Sequence, residues 1–187
     1  MNILTDALPD AVEIDGRKYA VNSDFRSCLR IMLAFEDQDL TPQEKHLVML
    51  SNLYREIPPD ARDAMTGARW FPNCGKDDQE GNNQPRVFSW SHDAELIYAA
   101  FRQTHGIDLQ TADLHWWKFI ALFMDLGQNT AFCSLSALRK RVKTGKASKE
   151  ERAAAREMGE IFEVPEIDTR TLAEKEAEAE FIRLVGA

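Results

Sequence analysis

Apolar residues recur along this chain with two different periods, and the point where the period changes separates two kinds of structure. From Ala11 to Val21 apolar and polar residues alternate around a central Asp15-Gly16. That dipeptide favours the positive-φ turn of a two-residue hairpin, so the segment predicts a β-hairpin. Two strands alone are marginal in water and must lie against a helix. The helical period begins at once: Phe25, Cys28, Leu29, Met32 and Phe35 follow the potential caps Asn22, Ser23 and Asp24.

The remaining helices announce their starts. Thr41-Pro42-Gln43-Glu44 combines a cap, a first-turn proline and a capping-box glutamate, ahead of a stripe of Leu47, Leu50 and Tyr54. Pro58-Pro59-Asp60 opens a third helix, with Ala61, Ala64, Met65 and Ala68 on one face and Trp70-Phe71 at its end. Residues 72–87 offer almost nothing to bury and read as a flexible linker or exposed loop. A helix from about Ser91 to Thr104 turns Ala94, Ile97, Tyr98 and Phe101 inward and stops near Gly106. The next, from about Thr111 to Leu126, is apolar nearly all round apart from a thin line of His115, Lys118 and Asp125. Such a helix is normally enclosed by neighbours, which makes it the central one. Ala131, Leu135, Leu138 and Val142 form another stripe, and Ser148-Lys149-Glu150-Glu151 caps a helix with Ala154, Met158, Ile161 and Phe162 on one side. Thr171-Leu172-Ala173-Glu174 opens a last, polar helix whose apolar residues cluster late.

The fold class is therefore mainly α, a multi-helix bundle with a small N-terminal β-hairpin. Its expected organisation is a hairpin-plus-helices unit over 1–71, the linker 72–87, a helical core over 88–165 and a C-terminal helix over 166–187. At 187 residues and 44% hydrophobic content, a core is available without metals or disulfides. The net charge, 23 − 31 = −8, disfavours nucleic acid as the main ligand, because phosphate affinity comes from a basic excess. Cys28, Cys74 and Cys133 fit neither a disulfide framework nor a zinc spacing and read as reduced thiols. The N-terminus lacks a signal-peptide pattern, and no apolar run approaches a membrane span of roughly 20 residues. A cytoplasmic protein without cofactor or metal is expected.

Each group that could carry chemistry has a plainer account. His92-Asp93-Ala94-Glu95 could hold a metal or exchange protons, but no ligand spacing accompanies it, and acidic residues suit a helix N-terminus. His115 could be a ligand or proton carrier; a hydrogen-bonded, partly buried histidine is the simpler reading. Trp116 and Trp117 project about 100° apart on a helix. Both can belong to the core, or one can anchor a partner, as tryptophans do in binding hot spots. Arg139, Lys140, Arg141 and Lys143, with Lys146 and Lys149 beyond, form a basic island. A solvated helix end accounts for it, with an acidic protein partner as the next reading. Phe181, Ile182, Leu184 and Val185 either dock locally or offer a greasy tip to a partner. No catalytic motif is present, so no enzyme is expected.

Three strings go beyond physics. Ser91-His92-Asp93-Ala94-Glu95-Leu96-Ile97-Tyr98-Ala99-Ala100-Phe101, Gly106-Ile107-Asp108-Leu109 and Leu114-His115-Trp116-Trp117-Lys118-Phe119 resemble the centre of a phage family known by its gene-product number, fifteen. Asn22-Ser23-Asp24-Phe25-Arg26 and the Leu40-Thr41-Pro42 region are similar as well. The family is encoded in the tail gene cluster, near the tail-tube and tape-measure genes. The resemblance implies a tail assembly chaperone in the host bacterial cytoplasm that shields the tape-measure protein during tail-tube polymerisation. Its partner would be the tape-measure or tail-tube protein, with self-association left open. The physical mechanism would be a helix docking in a groove beside the central helix, which needs spaced apolar anchors and no chemistry. The alternatives are a structural tail or neck subunit of the virion, or a small regulatory nucleic-acid-binding protein using Arg139 to Lys149.

Overall fold

The structure is a computed structural model that describes residues 2–76 and 85–166. The hairpin forms where the alternation places it: β1 (Ala11–Ile14) pairs antiparallel with β2 (Arg17–Ala20), with Ile14 opposite Arg17. This register leaves Asp15 and Gly16 as a two-residue loop, both at positive φ. Val12 and Tyr19 point from one face of the pair into the core.

Seven α-helices follow among the described residues: α1 (Phe25–Glu36), α2 (Pro42–Leu53), α3 (Ala61–Trp70), α4 (Ala94–His105), α5 (Trp116–Met124), α6 (Ala131–Lys143) and α7 (Lys149–Met158). The mainly α fold with an N-terminal hairpin is thus the observed one. Both expected capping boxes form: Thr41 with Glu44 on α2, and Ser148 with Glu151 on α7. Asp24 caps α1 and Asp60 caps α3 through their carboxylates. One hydrophobic cluster runs from Val12 and Tyr19, through Phe25, Phe71 and Phe101, to Phe132. It joins the elements on both sides of residues 72–87.

The central helix is shorter than its apolar pattern. Expected from about Thr111, α5 begins at Trp116. The residues before it are drawn into extended pairing with the segment ahead of α1: Phe25 N–H donates to Leu114 O (3.0 Å), and Trp116 N–H to Ser23 O (2.7 Å). His115 then caps the helix, its Nδ1 accepting from Trp117 N–H (3.0 Å) while Nε2 faces Pro9 O (3.0 Å). Those two contacts fit the neutral tautomer that carries its proton on Nε2.

Two apolar stripes, on α2 and α7, depart in part from their expected phase, and those of α3 and α4 lose only their first residue. On α2, Leu47 is 65% exposed while Met49 and Leu53 turn inward. Four consecutive apolar residues, Leu47 to Leu50, leave the phase open. It is set instead by the chain end, where Tyr54 bridges Val21. Ala61 and Ala94 face out at the first positions of α3 and α4. On α7, Ala155 rather than Ala154 is buried, and Met158 and Ile161 are exposed, because the chain swings into a short 3₁₀ turn at Gly159–Ile161.

Candidate functional site

α1 packs on α2 and α5, and α4 packs on α5 and α6, but α1 and α4 do not pack on each other. The space between them is a groove of about 390 Å³, floored by Phe119 of the central helix. Phe25, Leu29 and Leu33 line it from α1, and Ile97 and Tyr98 from α4. Trp90 and Leu109 complete the apolar lining. The floor is rigid. Phe119 stacks on Phe25, Phe101 and Trp116 with ring centroids 4.9, 4.9 and 5.5 Å away. Among the described residues, Arg26 and Arg30 are the only charged ones on the lining. Arg26 is fixed in place: its guanidinium lies over the Phe25 ring and donates to Leu109 O (2.7 Å) and Gln110 O (3.2 Å). On the facing side Tyr98 donates to Asp108 Oδ1 (3.0 Å), and Asp108 also takes Gln110 N–H. These bonds hold the Asp108 carboxyl below its ordinary range.

A larger cleft of about 590 Å³ lies between β1 and α3. Its lining mixes five charged residues of both signs, Asp10, Glu13, Asp15, Lys18 and Asp63, among its apolar ones. Docking of an apolar helix needs a continuous apolar track, which the α1–α4 groove has and this cleft lacks.

The two groove walls are set apart by polar bonds at one end. The segment from Arg86 to Asp93 crosses from the C-terminal end of α1 to the N-terminus of α4. Glu36, the last residue of α1, accepts from Trp90 N–H (2.9 Å), Ser91 N–H (3.1 Å) and the Ser89 hydroxyl (2.7 Å), and it pairs with Arg86. Burial opposes the charge on Glu36, but these donors outweigh it and hold the carboxyl below its ordinary value. Asp93, beside α4, is buried against Arg139 of α6 in a two-bond pair of 2.7 and 3.0 Å. Arg139 is 0% exposed. It also donates to the carbonyls of Phe162 (2.7 Å), Ile161 (2.6 Å) and Val87 (3.2 Å), so its whole guanidinium fork is used.

This overturns the reading of Arg139 as part of a solvated basic island. It lies four residues after Leu135 and seven after Phe132, on the buried face of α6. That helical spacing was the signal that sequence reasoning passed over. Arg141 pairs with Glu151, Lys143 donates to Arg86 O, and Lys140 is exposed, so the island does not form one surface. His92, Asp93 and Glu95 are not brought together either, in line with the plainer reading: Asp93 turns inward to Arg139 while the other two are exposed.

Trp116 and Trp117 are both core, and neither offers a contact surface to a partner. Their indole N–H groups donate to Pro72 O (2.8 Å) and Phe71 O (2.9 Å). Gly75, at positive φ, lies so close to the Trp117 ring that a β-carbon there would collide with it. A buried indole needs an acceptor, and the turn after α3 supplies one to each. Phe181, Ile182, Leu184 and Val185 lie outside the described residues. Burial pushes the Cys28 thiol up and the Cys74 thiol to about 11, so both stay protonated at neutral pH. Among the described residues no helix is long and apolar enough to cross a membrane, and no cluster of three His, Cys, Asp or Glu could hold a metal.

No curated protein and no solved structure matches the chain. A family described as "Bacteriophage Gp15 protein" matches residues 4–164, which takes in the hairpin, the seven described helices and the groove. That match supports, in general terms, a role in phage structure or morphogenesis. By this match over most of its length, the chain belongs to the bacteriophage Gp15 protein family.

Proposed function

We propose that this chain is a tail assembly chaperone, a non-enzymatic protein that shields the tape-measure protein in the host cytoplasm while tail-tube subunits polymerise. The observation that carries this reading is the groove between α1 and α4. It is an apolar track with a stacked aromatic floor and the exposed Leu33 at its edge, in a chain of net charge −8. A long helical tape-measure protein exposes an apolar face until its tube encloses it. A groove of this kind takes one stretch of such a face through anchors at i, i+3 or i+4, and i+7. The acidic charge keeps the complex dispersed through self-repulsion.

Co-expression with the long coiled-coil product of the neighbouring gene tests the reading. The expected result is that the long protein becomes soluble and co-purifies with this chain. An insoluble long protein, beside a folded chain, overturns it. Mass spectrometry of purified particles separates the structural alternative, since a chaperone is absent from the virion and a tail or neck subunit is present at stoichiometric level.

A further inference from the structure

We propose that the cleft between β1 and α3 takes an extended, lysine- or arginine-bearing segment of a partner protein, which joins the hairpin as a third strand. The hairpin has a free edge on that side. Val21 N–H donates to Asp10 O (2.8 Å), so Asp10, Val12 and Ile14 are the residues whose backbone groups bond to the second strand. Ala11 and Glu13 alternate with them and turn their N–H and C=O groups the other way. Among the described residues, no backbone hydrogen bond outside the hairpin ladder reaches either one. The cleft follows this edge: every residue from Pro9 to Asp15 lines it, but only Lys18 of the second strand does.

The opposite wall is one line along α3. Asp63, Thr66 and Trp70 recur at i, i+3 and i+7, on a single face of the helix. Gly67 lies on the same face, and a β-carbon there would collide with the Val12 side chain. Helix α3 thus rests on the face of β1 that carries Val12, and the edge beside it stays open as the cleft of about 590 Å³. The free edge has fixed ends. Pro9 has no N–H to donate, and its carbonyl faces His115 Nε2 (3.0 Å). The Asp15-Gly16 loop closes the other end. An added strand is therefore short, bonded through Ala11 and Glu13.

Charge selects the occupant. Among the described residues, Asp10, Glu13, Asp15 and Asp63 line the cleft against one cation, Lys18, a balance of 1 − 4 = −3. None of the four carboxylates makes an ion pair among the described residues, and Lys18, opposite Glu13 on the second strand, makes none either. The neighbouring cation Arg17 is engaged elsewhere, lying over the Tyr19 ring and paired with Glu56. A second copy of this chain, pairing β1 with β1, would bring the same carboxylates together, and charged edges resist that kind of self-pairing. A cationic strand meets the reverse case. Its residue opposite Glu13 shares the Glu13 face, within reach of that carboxylate. Main-chain bonds give such a strand its affinity, and the carboxylates give the choice of partner. The site is separate from the α1–α4 groove and does not rest on the chaperone reading.

A labelled peptide of alternating lysine and valine, titrated into the full chain, tests this. Fluorescence anisotropy reads affinity, and amide hydrogen exchange followed by NMR reads the mode of binding. Saturating peptide is expected to slow exchange at Ala11 and Glu13 by about tenfold or more, since each amide gains a partner. The Val12 and Ile14 amides, already bonded within the hairpin, change little. A peptide with glutamate in place of lysine is expected to bind several-fold more weakly. Glu13→Lys, at an exposed position and checked by circular dichroism, should weaken the lysine peptide several-fold as well. N-methylation of the lysine amides keeps the charge but removes the ladder, and should abolish protection at Ala11 and Glu13. An absence of binding overturns the proposal. Affinity that survives N-methylation, or comes without protection at those two amides, overturns it in favour of plain charge attraction. Protection that grows with protein concentration in the absence of peptide overturns it in favour of a second copy of the chain.

Discussion

Glu36 and Leu33 lie within one turn of α1 and meet opposite fates. Glu36 is wrapped by two backbone N–H groups, two serine hydroxyls and an arginine. Leu33 stands 39% exposed at the edge of the groove. The usual distribution is reversed, with the charge enclosed and the leucine bare. Hydrogen bonds to a carboxylate are directional and fix a spacing without filling the volume beside it. Apolar contact along α1 and α4 would instead draw the two helices together and close the gap. A pair of enclosed carboxylates, Glu36 on one wall and Asp93 on the other, lets both helices rest on α5 while the space between them stays open. The tryptophan side of α5 shows the contrary case. There the indole N–H groups need acceptors, the turn after α3 provides them, and the surface closes.

The largest effect is expected from breaking the enclosed pair. Arg139→Met leaves Asp93 buried without its partner and four carbonyls, those of Val87, Ile161, Phe162 and Glu163, without their donor. Loss of one member of such a pair costs about 3–5 kcal/mol. The double variant Arg139→Met with Asp93→Leu removes both charges together and is expected to recover much of that loss. Urea unfolding of the three proteins measures it. If the single variant stays within about 1 kcal/mol of the parent, the pair does not hold the wall in place.

A smaller effect belongs to Glu36, and it depends on pH. Its carboxyl is held below the ordinary value of 4.5, so the folded protein binds its proton less readily than the unfolded chain. The stabilisation is fully present above about pH 5 and disappears as pH falls through the lowered value. Glu36→Gln should therefore be less stable than the parent by about 2 kcal/mol at neutral pH, with the gap closing as pH falls through the lowered value. Other carboxylates shift with pH in both proteins, so the difference between the two urea midpoints isolates Glu36. A gap that does not change with pH would show that the Glu36 charge is not what secures this end of the groove.

The elements that could be read from sequence are those whose cause is local. Thr41 with Glu44 and Ser148 with Glu151 act within one turn, and Asp15-Gly16 acts within two residues; all three form where the sequence places them. The start of α5 was missed because its cause lies some ninety residues away, in the backbone of Ser23 and Phe25. A groove beside the central helix follows from the family resemblance alone, and its walls are not legible in the sequence at all. They depend on α1 and α4 both choosing α5 over each other, and no local pattern encodes that choice. Arg139 was legible in part: its register with Phe132 and Leu135 marks it as inward-facing, while its partner Asp93 on another helix is visible only in three dimensions.

The smallest effect on stability should accompany the largest effect on function, and it falls at Leu33. The side chain is 39% exposed, so a polar replacement forfeits little burial. Leu33→Asp is expected to move the urea midpoint by no more than about 0.5 kcal/mol of stability. The same change puts a carboxylate on an apolar track, where a docked helix would have to bury it unpaired, at several kcal/mol. Co-purification with the tape-measure protein should therefore fall to background while the circular dichroism spectrum is unchanged. Lys140→Asp, on the exposed face of α6, supplies the matched control, since it changes surface charge away from the groove. Equal loss of binding in both variants would assign the interaction to overall charge. Retained binding in Leu33→Asp would place the partner on another surface, and the difference between Leu33 and Glu36 would then be a matter of folding alone.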